Sequence, residues 1–443
     1  MSGFRNLPKV DALAASDMLA AYPERVRVSA ARAAVDRLRE ALRNGQAPDL
    51  QNPEVLALAE AKRLSRPSLR RVINLSGVVL HTGLGRARLA ASVAEEVAQV
   101  AAAHSAVELD LDTGKRGDRQ SHVREHLREL TGAEAAFVVN NAAAGVLLSL
   151  TALCAGRPVV LSRGQMVEIG GQFRMPDVVR QSGCQLVEIG CTNKTHLGDY
   201  EQALSAHAEA SGAILRCHPS NYKIVGFTSE PAPEDLARLA HERGWLMIDD
   251  VGSGCLLDTT QYGLPREQTM QEALASGADV VIASGDKMLG GGQAGLIVGS
   301  AAAIDRIRRH PLARAVRIDK LSMAALEATL RLYRHGRHHE IPTWAALGRD
   351  LDQVRALAER LAAARPGSEV AEGRTEVGGG SAPGASVPTW RVALEGNADE
   401  LARALRVLDT PIVGRIEDGR LWLDPRTLED DEVAEVEEAL GRL

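Results

Sequence analysis

The sequence predicts an α/β protein with a mostly parallel central sheet, an N-terminal helical module and a C-terminal small α+β domain. Three observations carry this expectation. Helical periodicity alone fills the first 70 residues, short β-branched runs alternate with longer helical patterns from Val72 to about Leu321, and the remainder pairs a helix pattern with a strand behind a glycine-rich stretch. At 443 residues the chain is about three times the ~150-residue prior for one domain. The boundaries expected are 1–70, 71–321 and 322–443.

Within the first module, the spacing of Val28, Ala31, Val35, Leu38 and Leu42 predicts a helix over Val28–Asn44, ended by Asn44-Gly45. Val10–Ala21 reads as a helix before it, and Pro48–Leu64 as one after it. Arg66-Pro67 marks the edge, because a residue before proline avoids helical geometry. Residues 1–71 hold 13 Lys plus Arg against 8 Asp plus Glu, so with a net charge of -6 overall the remaining chain carries -11. A basic module therefore precedes an acidic body.

The strand candidates of the middle region are Ala135–Val139, Val159–Leu161, Gln185–Ile189, Ala213–Cys217, Trp245–Ile248 and Val280–Ala283. Strands this apolar are buried on both faces, and ligands bind beyond their carboxyl ends. Further on, Ser322–Arg334 predicts a helix and Pro388–Leu394 a strand. The intervening Val377-Gly378-Gly379-Gly380-Ser381-Ala382-Pro383-Gly384 reads as a flexible hairpin or an oligomer contact, with a phosphate-cradling loop as the alternative.

Composition narrows the class. Apolar residues make up 45% and aromatics only 3%, so the core must be mostly Ala, Val and Leu. There is no apolar run of ~18 residues, and Met1–Val10 lacks a signal pattern, so a soluble cytoplasmic protein is expected. Cys154, Cys184, Cys191, Cys217 and Cys255 contain no CxxC pair, which speaks for reduced thiols and against a disulfide framework or a zinc site.

Three segments carry chemistry. In Val280-Val281-Ile282-Ala283-Ser284-Gly285-Asp286-Lys287, followed by Gly290-Gly291-Gly292, a buried strand delivers Ser284 and Lys287 to a turn. A desolvated lysine there keeps a nucleophilic amine that can reach an aldehyde, and Ser284 can bond a phosphate. The structural alternative is an ordinary surface lysine. Upstream, Leu246-Met247-Ile248-Asp249-Asp250-Val251-Gly252 ends an apolar strand in two acids, a place suited to a carboxylate that pairs with a pyridinium nitrogen. Asp249 is expected to face the ring and Asp250 the opposite side, with Asp250 as the alternative. Third, Phe137-Val138-Val139-Asn140-Asn141-Ala142 leads from a strand into a helix whose N-terminus favours a phosphate, unless Asn is merely its cap. The order of phosphate turn, acid and Ser-x-x-Lys is that of an aspartate-aminotransferase-type pyridoxal-phosphate enzyme, fold type I.

Beyond these, Ile73–Arg86 (INLSGVVLHTGLGR), Val167–Arg174 (VEIGGQFR), His218-Pro219-Ser220-Asn221-Tyr222 and Ser284–Gly295 resemble the bacterial selenocysteine synthase family, the L-seryl-tRNA(Sec) selenium transferases. Leu7-Pro8-Lys9-Val10-Asp11 is similar to the start of that family's helical tRNA-binding module. The resemblance implies pyridoxal 5'-phosphate bound as a Schiff base to Lys287, which then removes the seryl α-proton. Loss of the hydroxyl would leave an aminoacrylate, to which selenium from selenophosphate adds to give selenocysteinyl-tRNA(Sec). It further implies an anion pocket of Arg86, Arg314 and Arg317, the last two on one helix face, with Arg174, His218 and Asn221 as further pocket residues. The implied assembly is a homo-oligomer of ten subunits, a pentamer of dimers, with no membrane or DNA partner. Two departures stand out: Ala142 where the family shows a third asparagine, and Gly292 in place of its proline. Two rival readings are a pyridoxal-phosphate lyase acting on a free amino sugar phosphate or amino acid, and a catalytically silent RNA-binding protein.

Overall fold

The helical spacing of the first module produces three α-helices in the computed structural model, which describes residues 7–45 and 52–443. They are α1 (Val10–Ala14), α2 (Glu24–Arg43) and α3 (Pro53–Ser65). The single helix expected over Val10–Ala21 breaks at Ser16, whose hydroxyl accepts from Met18 N and starts a 3₁₀ turn at Asp17–Leu19. Helix α2 starts earlier than expected, at Glu24, because Pro23 suits the position just ahead of a first turn. Of the helix expected over Pro48–Leu64, positions 48–51 lie outside the described residues. Small side chains, Ala30, Ala31, Ala34, Ala57 and Ala61, form the module's core with Leu13 and Leu19. Glu60 is buried and paired with Arg37 at 2.9 Å and Arg63 at 2.6 Å.

The chain divides after Arg71 into two compact units. In the second, a seven-stranded sheet contains β1 (Ala135–Val139), β2 (Pro158–Ser162), β3 (Gln185–Ile189), β4 (Ala213–Cys217), β5 (Leu246–Gly252), β6 (Val280–Ser284) and β7 (Gly295–Gly299). Its order is β1-β7-β6-β5-β4-β2-β3. Only β7 runs against its neighbours, antiparallel to both β1 and β6. The six parallel strands therefore present their carboxyl ends along one edge. Strand β7 escaped the sequence reading because two glycines bracket three apolar residues. Those glycines are required: a Cβ at Gly295 would overlap Asn141 O, and one at Gly299 would overlap Asp279 O.

Helix α4 (Ala142–Cys154) follows β1 directly, and the short α5 (Leu312–Ala315) precedes α6 (Lys320–Arg334). A four-stranded antiparallel sheet near the C-terminus holds β8 (Glu369–Glu376), β9 (Ser386–Leu394), β10 (Arg415–Glu417) and β11 (Arg420–Leu423), in the order β8-β9-β11-β10. The chain entering the second unit reaches into this region: Ile73 and Asn74 pair in parallel with Ile412 and Val413. Asp424 locks the junction, accepting from Thr375 Oγ1 at 2.6 Å and Thr389 Oγ1 at 2.9 Å. Among the described residues, four cysteines are buried and free, Cys191 is exposed and free, and no helix is long and apolar enough to cross a membrane.

Candidate active site

Lys287 is placed by backbone constraints on both sides. Strand β6 is buried at every position, and the turn after it is pinned by Gly285 N to Ala294 O, Met288 N to Ser253 O and Gly291 N to Gly285 O, each 2.9 Å. Tyr333 OH donates to Leu289 O at 2.9 Å and accepts from Trp344 Nε1 at 2.6 Å, which anchors the far side of the turn. The lysine side chain is left only 6% exposed. Burial pulls its pKa down, against the opposing pull of Asp250, so the unprotonated amine is favoured relative to an ordinary lysine.

The Lys287 Nζ donates to Gly380 O at 3.2 Å. Gly380 belongs to the glycine-rich stretch expected to be a flexible hairpin or an oligomer contact, and the stretch does connect the antiparallel β8 and β9. Within it, Gly378, Gly379 and Gly380 hold consecutive left-handed φ values of 73°, 64° and 76°, and Leu80 N donates to Val377 O at 2.8 Å. A side chain at Gly379 would place its Cβ 2.6 Å from Leu80 O, so only glycine lets this loop close over the amine.

The two acids at the end of β5 point apart, as strand alternation demands. Asp249, 1% exposed, faces Arg216, which donates to Oδ2 at 2.8 Å, and Gln268, which donates at 3.4 Å. Asp250 faces Lys287: burial pushes its carboxyl up to about 6, with Lys287 pulling it down. Arg216 sits beside Asp249 in the β4–β5 register and holds its Oδ2, while Asp249 Oδ1 is buried without a partner, so both acids stand as candidates for the ring nitrogen.

Around these groups, Ser284 Oγ donates to Asp286 Oδ1 at 2.6 Å and Arg86 Nη1 donates to Asp286 Oδ2 at 2.8 Å, so Ser284 and Arg86 are brought beside the lysine turn. Arg86 adopts a left-handed φ of 62°, an uncommon state for a non-glycine residue. His218 follows β4 and donates its backbone N–H to Asp250 O at 2.9 Å. At the end of β1, Asn141 caps α4 by accepting from Ala144 N at 2.8 Å, and Asn140 is exposed. Both stand two strands from β6, with β7 between.

Other candidates sit elsewhere or are already paired. Arg174 is exposed and bound to Glu168 at 2.6 Å, and Asn221 donates to Glu168 O at 2.9 Å. Arg314 and Arg317 do not share a helix face: α5 ends at Ala315, and Arg317 forms an antiparallel bridge with Val139 while its side chain lies 3.6 Å from Glu108. Residues the sequence reading missed are Asp286, Gly380, Arg216 and Glu267. Asp286 had a signal, since it sits between Ser284 and Lys287; the others come from distant segments.

The described residues fit a polar, aldehyde-bearing cofactor. Buried side-chain atoms without a partner include His218 Nδ1, Asp249 Oδ1, Ser253 Oγ, Glu267 Oε1 and Ser381 Oγ. Such atoms await a ligand's donors and acceptors. A cleft of about 660 Å³ is lined by Pro219, Tyr222, Glu267, Ala382 and Pro383 among others.

The L-seryl-tRNA selenium transferase family model matches residues 72–429. This chain belongs to that family. It is 49% identical to the L-seryl-tRNA(Sec) selenium transferase of Desulfotalea psychrophila, over 85% of this chain and 83% of that protein. It is 44% identical to the protein of the same name from Geobacter sulfurreducens over 100% of both. Among solved structures, D-glucosaminate-6-phosphate ammonia-lyase aligns with a TM-score of 0.61 at 23% identity, over 86% of this chain and 96% of that one. The architecture is that of fold type I, as the mostly parallel sheet and motif order predict.

Proposed function

We propose that this family member converts L-seryl-tRNA(Sec) to L-selenocysteinyl-tRNA(Sec), using pyridoxal 5'-phosphate held by Lys287 and selenophosphate as the selenium donor. The observation that carries the reading is the Lys287 amine, buried against Gly380 O and opposite Asp250, in a chain related along its length to selenium transferases. When bound, pyridoxal phosphate supplies the aldehyde that Lys287 engages and a ring that draws charge from the seryl α-carbon.

Each residue has a defined task. Lys287 Nζ, its proton affinity lowered by burial, holds the cofactor and then takes the α-proton. Asp250 keeps a proton on the ring nitrogen, and Asp249 with Arg216 stiffens the strand end behind it. Ser284 and the β1–α4 turn at Asn140 and Asn141 hold the phosphate, where free N–H groups of α4 favour an anion. His218 completes the cofactor's surroundings, and Arg86, held beside the lysine turn through Asp286, binds selenophosphate. The Val377–Gly384 loop keeps water from the amine.

Residues 1–70 form the tRNA-binding module, 71–321 the cofactor-binding domain and 322–443 the small domain; the module's charge balance supports this division. The working assembly is a homodecamer of five dimers in the cytoplasm. To test the reading, seryl-tRNA(Sec), free serine and an amino sugar phosphate are supplied separately with selenophosphate. Conversion of seryl-tRNA(Sec) alone is expected, and turnover of a free small substrate instead would establish a lyase.

A further inference from the structure

Glu267 lines the cleft beside the site and is only 6% exposed. The His218 Nε2 lies 3.2 Å from Glu267 Oε1, and both that oxygen and His218 Nδ1 are buried without a hydrogen-bond partner. A Cβ built on Gly252 would stand 3.9 Å from both His218 Cβ and Lys287 Nζ, so imidazole and amine flank one wall. A carboxylate against one ring nitrogen fixes the imidazole's orientation and protonation, and so what the other nitrogen offers.

Sheet order then says which part of the cofactor that nitrogen meets. The phosphate turn lies at β1, the lysine after β6, Asp250 on β5 and His218 after β4, in spatial order across the sheet. In pyridoxal phosphate the phosphate-bearing and hydroxyl-bearing ring positions flank the aldehyde on opposite sides. A ring with its phosphate toward β1 turns its hydroxyl edge toward β4. We infer that Glu267 is a positioning residue, holding His218 with Nε2–H on its carboxylate so that Nδ1–H donates to the ring hydroxyl oxygen of pyridoxal phosphate. This rests on the proposed placement of that cofactor on Lys287. The other charged groups facing His218 are Asp249 and Asp250 on β5, with Lys287 beyond Gly252 and Arg216 paired to Asp249.

A donor to the ring oxygen stabilises its anion and weakens the hold on the proton of the adjacent lysine–cofactor linkage. Removing the donor must therefore raise the pH midpoint of the visible absorbance change. The test is absorbance titration of the cofactor-loaded full chain, wild type against His218→Phe, Glu267→Leu, Glu267→Gln and the His218→Phe/Glu267→Leu pair. Expected are rises of about one to two pH units for His218→Phe and Glu267→Leu, the size of one charge-assisted hydrogen bond. Glu267→Gln, which keeps shape and an acceptor, should shift less in the same direction and remains readable where Glu267→Leu fails to fold. The pair should shift no further than His218→Phe alone. Unmoved midpoints, or an equal Glu267→Leu shift in the His218→Phe background, overturn the inference. A wild type with no visible band would instead overturn the cofactor reading beneath it.

Discussion

Replacing Asp250 by asparagine should make the cofactor-free protein more stable at neutral pH while nearly abolishing its activity. Burial holds the Asp250 carboxyl at about 6 against an ordinary 3.8. Two units correspond to about 3 kcal/mol, reduced to about 1–3 kcal/mol because the side chain is only half-buried. The sign follows from which state binds the proton. Below about pH 4 the carboxyl is neutral folded and unfolded, and the substitution changes little. Between roughly pH 4 and 6 the unfolded chain ionises while the fold still holds its proton, so wild-type stability falls as pH rises. Above 6 the penalty is complete, and Asp250→Asn removes it. Urea denaturation of the cofactor-free protein at about pH 4 and about pH 7.5 measures the difference. Activity should fall by roughly 10²–10³-fold, the usual cost of losing a preorganised charge in an active site. Asp249→Asn is the control: its amide oxygen can still accept from Arg216, so the cofactor's spectrum should remain. If Asp249→Asn erases activity and Asp250→Asn does not, the assignment of the two faces of β5 is wrong.

Other consequences are as definite. Gly379→Ala forces a Cβ toward Leu80 O at a positive φ and should cost about 1–3 kcal/mol by denaturation, along with lysine burial. Arg86→Ala should raise the KM for selenophosphate by ten- to a hundred-fold with the cofactor band intact, the loss of one charged hydrogen bond. Asp424→Ala strands the hydroxyls of Thr375 and Thr389 and should destabilise the second unit by about 2–4 kcal/mol. Deleting residues 1–70 should leave the visible band while weakening tRNA binding, and binding by the whole chain should fall steeply with salt.

Local pattern carried most of the fold and the lysine itself. Six of the seven central strands were legible because each is a β-branched run between helical segments, whereas β7 was hidden by Gly295 and Gly299, whose role depends on Asn141 and Asp279 across the sheet. The Ser284-to-Lys287 turn was readable because strand, small residues and lysine are contiguous. Which aspartate faces it was not, since that depends on Arg216 lying beside Asp249 in a neighbouring strand. The pairing of Arg314 with Arg317 failed for a related reason: α5 stops at Ala315 because the chain leaves to bridge Val139. Gly380 and Glu267 reach the site from segments far along the chain, and no periodicity reports such a meeting.

The most direct measurement is borohydride reduction of the purified, cofactor-loaded protein, followed by peptide mass mapping and repeated on Lys287→Ala. A pyridoxyl-phosphate adduct on the peptide containing Lys287, with no adduct and no visible band in the variant, is the predicted result. An adduct on another lysine, or an undiminished band in Lys287→Ala, would contradict the account at its root.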